Sequence, residues 1–149
     1  MSRNHFGWAL AFLILAGCRI VEREGMAPLP ENAPPLSYAE MIVRVRGQAG
    51  AAQDAFYIDS WLDLEQAAQR LEQTARLLPK ATEIPAGLKP KLEPEANQLR
   101  QDAVKLAEAA RSKNAAQANE ALQRINSRVR LLRGPEPADI PPPKKPDES

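Results

Sequence analysis

Four stretches of the chain repeat one spacing rule, and that rule leaves little choice of architecture. Tyr38, Ile42, Val45, Ala49, Ala52 and Phe56 are separated by steps of 4, 3, 4, 3 and 4 residues. Trp61, Leu64, Ala68, Leu71, Ala75 and Leu78 follow steps of 3, 4, 3, 4 and 3. Leu92, Ala96, Leu99, Ala103, Leu106 and Ala110 return to 4, 3, 4, 3 and 4, and Ala115, Ala118, Leu122, Ile125, Val129 and Leu132 to 3, 4, 3, 4 and 3. Such steps bring a side chain back to the same side of an α-helix, so each set forms one apolar stripe. Four stripes are buried by packing against one another, which predicts an all-α, four-helix bundle. Nine of the 24 seam positions are alanine, and small side chains draw helices together.

Boundary signals agree with the seams. Ser37 with Glu40 forms a capping box at the first helix, and Asp59 or Ser60 is placed to cap the second, which Pro79 ends. Pro94 suits the first turn of the third helix. Asn114, followed three residues later by Gln117, is placed to cap the fourth, and Gly134-Pro135 stops it. Short first-to-second and third-to-fourth connections make those pairs antiparallel. The longer, proline-punctuated 79–93 connection carries Ile84 and Leu88, expected to fold over one end. Up-down-up-down topology is the economical solution. Gly47 and Gly50 each cost a helix about 1 kcal/mol relative to alanine, which marks the first helix for bending or fraying.

Outside residues 37–133 the pattern stops. Residues 6–16 are an uncharged apolar run of eleven, preceded by Arg3 and closed off by Arg19, Glu22, Arg23 and Glu24. Crossing a bilayer takes roughly 20 apolar residues. A basic residue, a short apolar run and small residues before a cut describe a signal peptide instead, residues 1–17. Leu15-Ala16-Gly17-Cys18 resembles the lipobox of bacterial lipoproteins. That resemblance implies that Cys18, the single cysteine, becomes the first residue of the mature chain, carrying diacylglycerol on sulfur and a third acyl chain on its amine. Two or more chains anchor a protein stably, so Cys18 is expected to be a lipid attachment site and the membrane a partner through that anchor. Arg19 after the cysteine, rather than aspartate, resembles lipoproteins sent to the outer membrane, which places the domain on its periplasmic face. Residues 18–36, with Pro28, Pro30, Pro34 and Pro35, are expected to form a disordered tether of up to about 60 Å at roughly 3.3 Å per residue. Residues 134–149, rich in proline, are expected to be a disordered tail.

Composition then excludes most chemistry. Removing Arg3 leaves 19 basic against 19 acidic side chains, which gives no pull toward nucleic acid. His5, the one histidine, leaves with the leader, so the mature chain has neither histidine nor an unlipidated thiol. Zinc and copper sites of the usual ligand types, covalent haem, and Ser-His or Cys-His catalysis are thereby excluded. Carboxylate chemistry stays formally open. No cofactor, no metal and no enzymatic activity are expected.

Several short motifs carry a further likeness. Asp59-Ser60-Trp61 leads into a Leu-Glu-x-Ala-Ala helix, Leu-x-x-Asp-Ala follows at residues 99–103, Ala-x-x-x-x-Asn at 109–114, and a closing helix ends with arginines at 124 and 133. Over residues 37–133 this resembles the cytochrome c-prime and soluble b-type cytochrome bundles, and more closely bacterial lipoproteins that have the bundle without haem. Haem-binding relatives carry Cys-x-x-Cys-His on the last helix. The comparable window here is Ile125-Asn126-Ser127-Arg128-Val129, with neither cysteine nor histidine and with Ile125 and Val129 on the seam. Met41 is the one conceivable axial ligand, but it lies one position off the seam and reads as packing. A packed, haem-free bundle is expected.

Arg124, Arg128, Arg130 and Arg133 form the one notable basic cluster. Cations near a helix C-terminus gain roughly 0.3–1 kcal/mol from the macrodipole, and Glu120–Arg124, Glu40–Arg44 and Glu72–Arg76 are favourable four-residue pairs. A site for an acidic partner or a lipid headgroup is the sharper alternative for the four arginines. Trp61 reads as a core anchor, and Glu93 with Glu95 as charge suited to a helix start. The resulting expectation is a monomeric, membrane-anchored envelope module that presents a helical surface to a protein partner. A groove-binding, chaperone-like protein and a non-covalent haem electron carrier are the alternatives.

Overall fold

The computed structural model describes residues 27–30 and 32–133. Four helices, α1 (Tyr38–Tyr57), α2 (Trp61–Leu77), α3 (Lys89–Arg111) and α4 (Ala115–Arg133), pack in sequence around one core, and α4 closes the ring against α1. Of the 24 seam residues, 21 are buried; Phe56 and Trp61 are half-buried at the α1–α2 turn, and Ala115 is exposed in the first turn of α4. Each stripe is also wider than the seams. Ala55, Ala67, Ala107, Ala109 and Ala121 are buried beside them, as is Met41 at 2% exposure, which packs in the core.

The two short turns lie at the same end of the bundle and share one design. After α1 the N–H of Asp59 donates to the Phe56 carbonyl (3.2 Å) and that of Ser60 to the Ala55 carbonyl (2.9 Å). After α3 the N–H groups of Lys113 and Asn114 donate to Ala110 (3.1 Å) and Ala109 (2.9 Å) in the same pattern. Both are Schellman closures, and each sets its central residue in the left-handed region, Asp59 at φ 55° and Lys113 at φ 51°. The next residue in each case opens the following helix. The Gln117 N–H donates to Asn114 Oδ1 at 3.1 Å, the expected cap. Ser60 departs from expectation: its hydroxyl donates to the Asp63 carboxylate (2.6 Å) and makes no bond to a backbone N–H.

At the opposite end, α2 tightens into a 3-10 turn (Leu78–Lys80) at Pro79, and Ile84 and Leu88 rest half-buried on the core. The third helix starts a turn earlier than Pro94 suggests. Helical bonding begins with Leu92 N–H to Leu88 O at 2.9 Å, so Pro90 takes the early position that needs no N–H, and Pro94 lies inside the helix. The acceptor that Pro94 leaves without a donor is the carbonyl of exposed Pro90. Ser37 and Glu40 form the full capping box: the Ser37 N–H (2.9 Å) and hydroxyl (2.7 Å) donate to the Glu40 carboxylate, and the Glu40 N–H to Ser37 Oγ (3.3 Å). α1 runs unbroken through Gly47 and Gly50.

The residues before α1 do not simply trail away. Leu29 exchanges hydrogen bonds with the Gln73 amide on α2, its N–H donating (3.1 Å) and its carbonyl accepting (2.9 Å). Arg44 of α1 donates to the Ala27 carbonyl, and Leu29 and Leu36 pack on the core. Thr82 clamps the entry to α1, donating its N–H to Leu36 (2.9 Å) and accepting from Tyr38 N–H (2.8 Å). The segment expected to be a tether is therefore laid along α1 and α2 over 27–30 and 32–36. The leader at 1–17, Cys18 and the proline-rich tail at 134–149 lie outside the described residues.

Candidate functional site

The polar feature with the most structure around it is on α3 and α4. Leu99 and Leu106 turn α3's apolar face inward, and Asp102, three residues after Leu99, is carried to the edge of that face and buried at 3% exposure. A carboxylate there must be paired or pay heavily for its charge. Two arginines four residues apart on α4 meet it: Arg124 Nε donates to Oδ1 and Arg128 Nε to Oδ2, both at 2.8 Å. Each guanidinium then spends its other N–H groups on neighbours. Arg128 reaches Glu95 Oε2 (3.1 Å) and Gln98 Oε1 (3.3 Å), while Arg124 reaches Glu120 one turn back on its own helix. The hydrogen bonds that the two arginines donate to Asp102, with its charge adding to them, raise the pKa of both above the ordinary value, so they stay cationic.

The four arginines are thus split between two sides of α4. At about 100° per residue, Arg130 and Arg133 turn to the far side from Arg128. Both are exposed. The structure brings Arg124 and Arg128 together and sets Arg130 and Arg133 apart from them. Beside the pair runs a shallow open groove of about 400 Å³, lined by Glu120, Gln123, Arg124, Ser127, Arg128 and Leu131. Leu131 is 60% exposed. The arrangement offers guanidinium edges whose charge Asp102, Glu95 and Glu120 already balance, an amide and an apolar side chain to a partner, and no nucleophile with an adjacent base. Among the described residues no three carboxylates converge as metal ligands.

Other residues singled out in the sequence have plain positions. Glu95 is part of the arginine network rather than a helix-start charge, and Glu93 is exposed. Trp61 packs edge-on against Phe56, ring centroids 6.2 Å apart. Ile125 is fully buried and Val129 nearly so. Sequence reasoning missed Asp102 as a partner, although the signal was present: an acid three residues from a seam leucine, facing two arginines one turn apart on the next helix. Gln48, 1% exposed with its Oε1 unpartnered among the described residues, gave no such signal. Compared with known proteins, this four-helix all-α chain matches no family model, no curated protein and no solved structure.

Proposed function

We propose that the protein is a membrane-anchored envelope lipoprotein whose four-helix domain is a structural or interaction module, working without a cofactor and without catalysis. The observation that carries this reading is Leu15-Ala16-Gly17-Cys18 behind an apolar run too short to span a bilayer, with the single cysteine in the acceptor position. The character of the polar network supports it. Asp102, Arg124 and Arg128 satisfy one another, which suits a domain held rigid rather than one that moves protons. The partner surface is the outer edge of α4, where exposed Leu131 lines the open groove beside an arginine pair whose charge Asp102, Glu95 and Glu120 already balance, so the groove would favour a partly apolar protein segment. Arg19 favours the outer membrane's periplasmic face.

The test has two arms. Labelled palmitate should enter the wild-type chain and not Cys18→Ala, which should appear in a soluble fraction; equal labelling of both overturns the anchor. Affinity capture of the anchored chain should recover an envelope protein, and Leu131→Glu, which leaves the Asp102 network intact, should lose it. Equal recovery by the two chains removes α4 as the partner surface.

A further inference from the structure

The end of the bundle formed by the α1–α2 turn carries an apolar patch that the fold leaves uncovered. Tyr57, Ile58 and Leu62 are 72%, 73% and 67% exposed within six residues of chain. The patch is continuous with half-buried aromatics: Phe56 lies 6.0 Å from Tyr57 and 6.2 Å from Trp61, centroid to centroid. None of these exposed side chains is needed for the turn, which the Schellman bonds close through backbone alone. We infer that this end of the bundle rests on the bilayer, with Tyr57, Ile58 and Leu62 inserted at the lipid surface and Trp61 just behind them.

Three observations converge on lipid as the occupant. The first is the direction of the chain before α1, which leaves Thr82 at the opposite end and descends along the bundle to Leu29 at Gln73 and to Ala27 at Arg44. From Arg44 to Tyr57 the helix covers about 20 Å at 1.5 Å per residue. Cys18 is nine residues before Ala27, a reach of up to about 30 Å, enough to set an anchor level with the turn. The second is composition: tyrosine and tryptophan beside aliphatic side chains are the pattern of a membrane–water interface. The third is charge. Asp54, Asp59, Asp63 and Glu65 lie at this end of the helices with Arg111 and Lys113, Glu65 and Arg111 bonded to each other, so there is no excess of basic charge and insertion rests on apolar contact rather than on headgroup charge. Three side chains bind a bilayer weakly alone, and attachment through residue 18 supplies the high local concentration that holds them there. The inference rests on the anchoring proposed above only for where the chain is held.

The test uses the chain from Cys18 to Ser149, in which Trp61 is the single tryptophan. Cys18 is coupled to a maleimide-headgroup lipid in neutral phosphatidylcholine vesicles, plain or brominated on the upper acyl carbons. Trp61 emission should shift to the blue on coupling and be quenched by the brominated lipid, unchanged on raising salt. Ile58→Glu with Leu62→Glu, both exposed and so compatible with folding (checked by circular dichroism), should abolish shift and quenching. Equal emission in plain and brominated vesicles overturns the inference, as does quenching that survives the double substitution or vanishes with salt. A blue shift without vesicles, accompanied by dimer in sedimentation, assigns the patch to a second copy and also overturns it. Because the coupling is chemical, these outcomes stand apart from the palmitate experiment, whose failure would overturn the natural anchor alone.

Discussion

Replacing Asp102 by asparagine keeps the shape of the side chain and removes the charge that two arginines share. Its carboxylate accepts two charge-assisted hydrogen bonds of 2.8 Å, with the Asp102 side chain 5% exposed and those of Arg124 and Arg128 33% and 24% exposed. Bonds of this type contribute about 1.5–3 kcal/mol each, so the gross loss is about 3–6 kcal/mol. The arginines soften that loss because each retains an acidic partner, Glu120 or Glu95, and reaches water. A net destabilisation of about 2–3 kcal/mol is expected after that discount. For a domain of this size the midpoint of thermal unfolding should fall by about 10–20 °C. Urea titration followed by circular dichroism at the helix band is the assay, with a lower midpoint and an unchanged slope as the signature. A companion chain with Asp102→Leu, Arg124→Met and Arg128→Met should recover most of the loss, since apolar replacements of a whole buried ion cluster are often neutral or better. A change below about 0.5 kcal/mol in the single variant, the range of ordinary surface substitutions, would refute the reasoning. So would a companion no more stable than Asp102→Asn, which would assign the loss to packing rather than to stranded charge.

Gly50→Ala should stabilise the domain by about 0.5–1 kcal/mol in the same urea assay, because a Cβ there meets open space inside a continuous helix. Lys113→Gly should stabilise by about 1 kcal/mol, since the α3–α4 turn holds a lysine at φ 51° where glycine carries no steric penalty. Gln48→Met should be neutral or stabilising by about 1 kcal/mol, as it removes a buried Oε1 that has no hydrogen-bond partner among the described residues. Glu40 is held below the ordinary glutamate pKa by the Ser37 hydroxyl and backbone N–H. Its contribution is therefore present above the unfolded value and lost as pH falls through the folded one. The stability difference between wild type and Glu40→Gln should accordingly shrink on acidification through that range.

The seams were legible because burial of an alanine or leucine stripe is a property of one helix and its period. The second row was not: Ala55, Ala67 and Ala121 are equally compatible with solvent, and only the close approach that small side chains allow makes them core. The start of α3 was ambiguous in principle, since Pro90 and Pro94 both suit an early helical position and the Pro85 carbonyl decides between them, accepting from Leu88 N–H (2.9 Å) and Lys89 N–H (3.2 Å). Segment 27–36 has no period, and its docking depends on backbone groups meeting Gln73 and Thr82, partners more than forty residues away. The arginine cluster was visible as a charge run. That Arg124 and Arg128 turn inward while Arg130 and Arg133 do not follows from the helical rotation, which counting charges along the chain ignores.

These elements together set a distance. The laid-down segment returns the chain to the side of α1 and α2, so the length left for the proposed anchor is that of residues 18–26, about half of the stretch before the bundle. With the α1–α2 turn at the bilayer, the α3–α4 turn lies there too, because the two share an end and Arg111 bonds to Glu65 across it at 2.6 Å. Counted from Asn114 along α4, Arg124 and Arg128 then stand about 15–20 Å above the lipid surface. The groove beside them runs along α4 and therefore roughly normal to the membrane. A partner that fits it must present a partly apolar segment at about that height, since the charge of Arg124 and Arg128 is already balanced by Asp102, Glu95 and Glu120. Height separates the two arginine pairs little, Arg128 and Arg130 being about 3 Å apart along the helix axis, so it is the rotation of the helix that sets them apart.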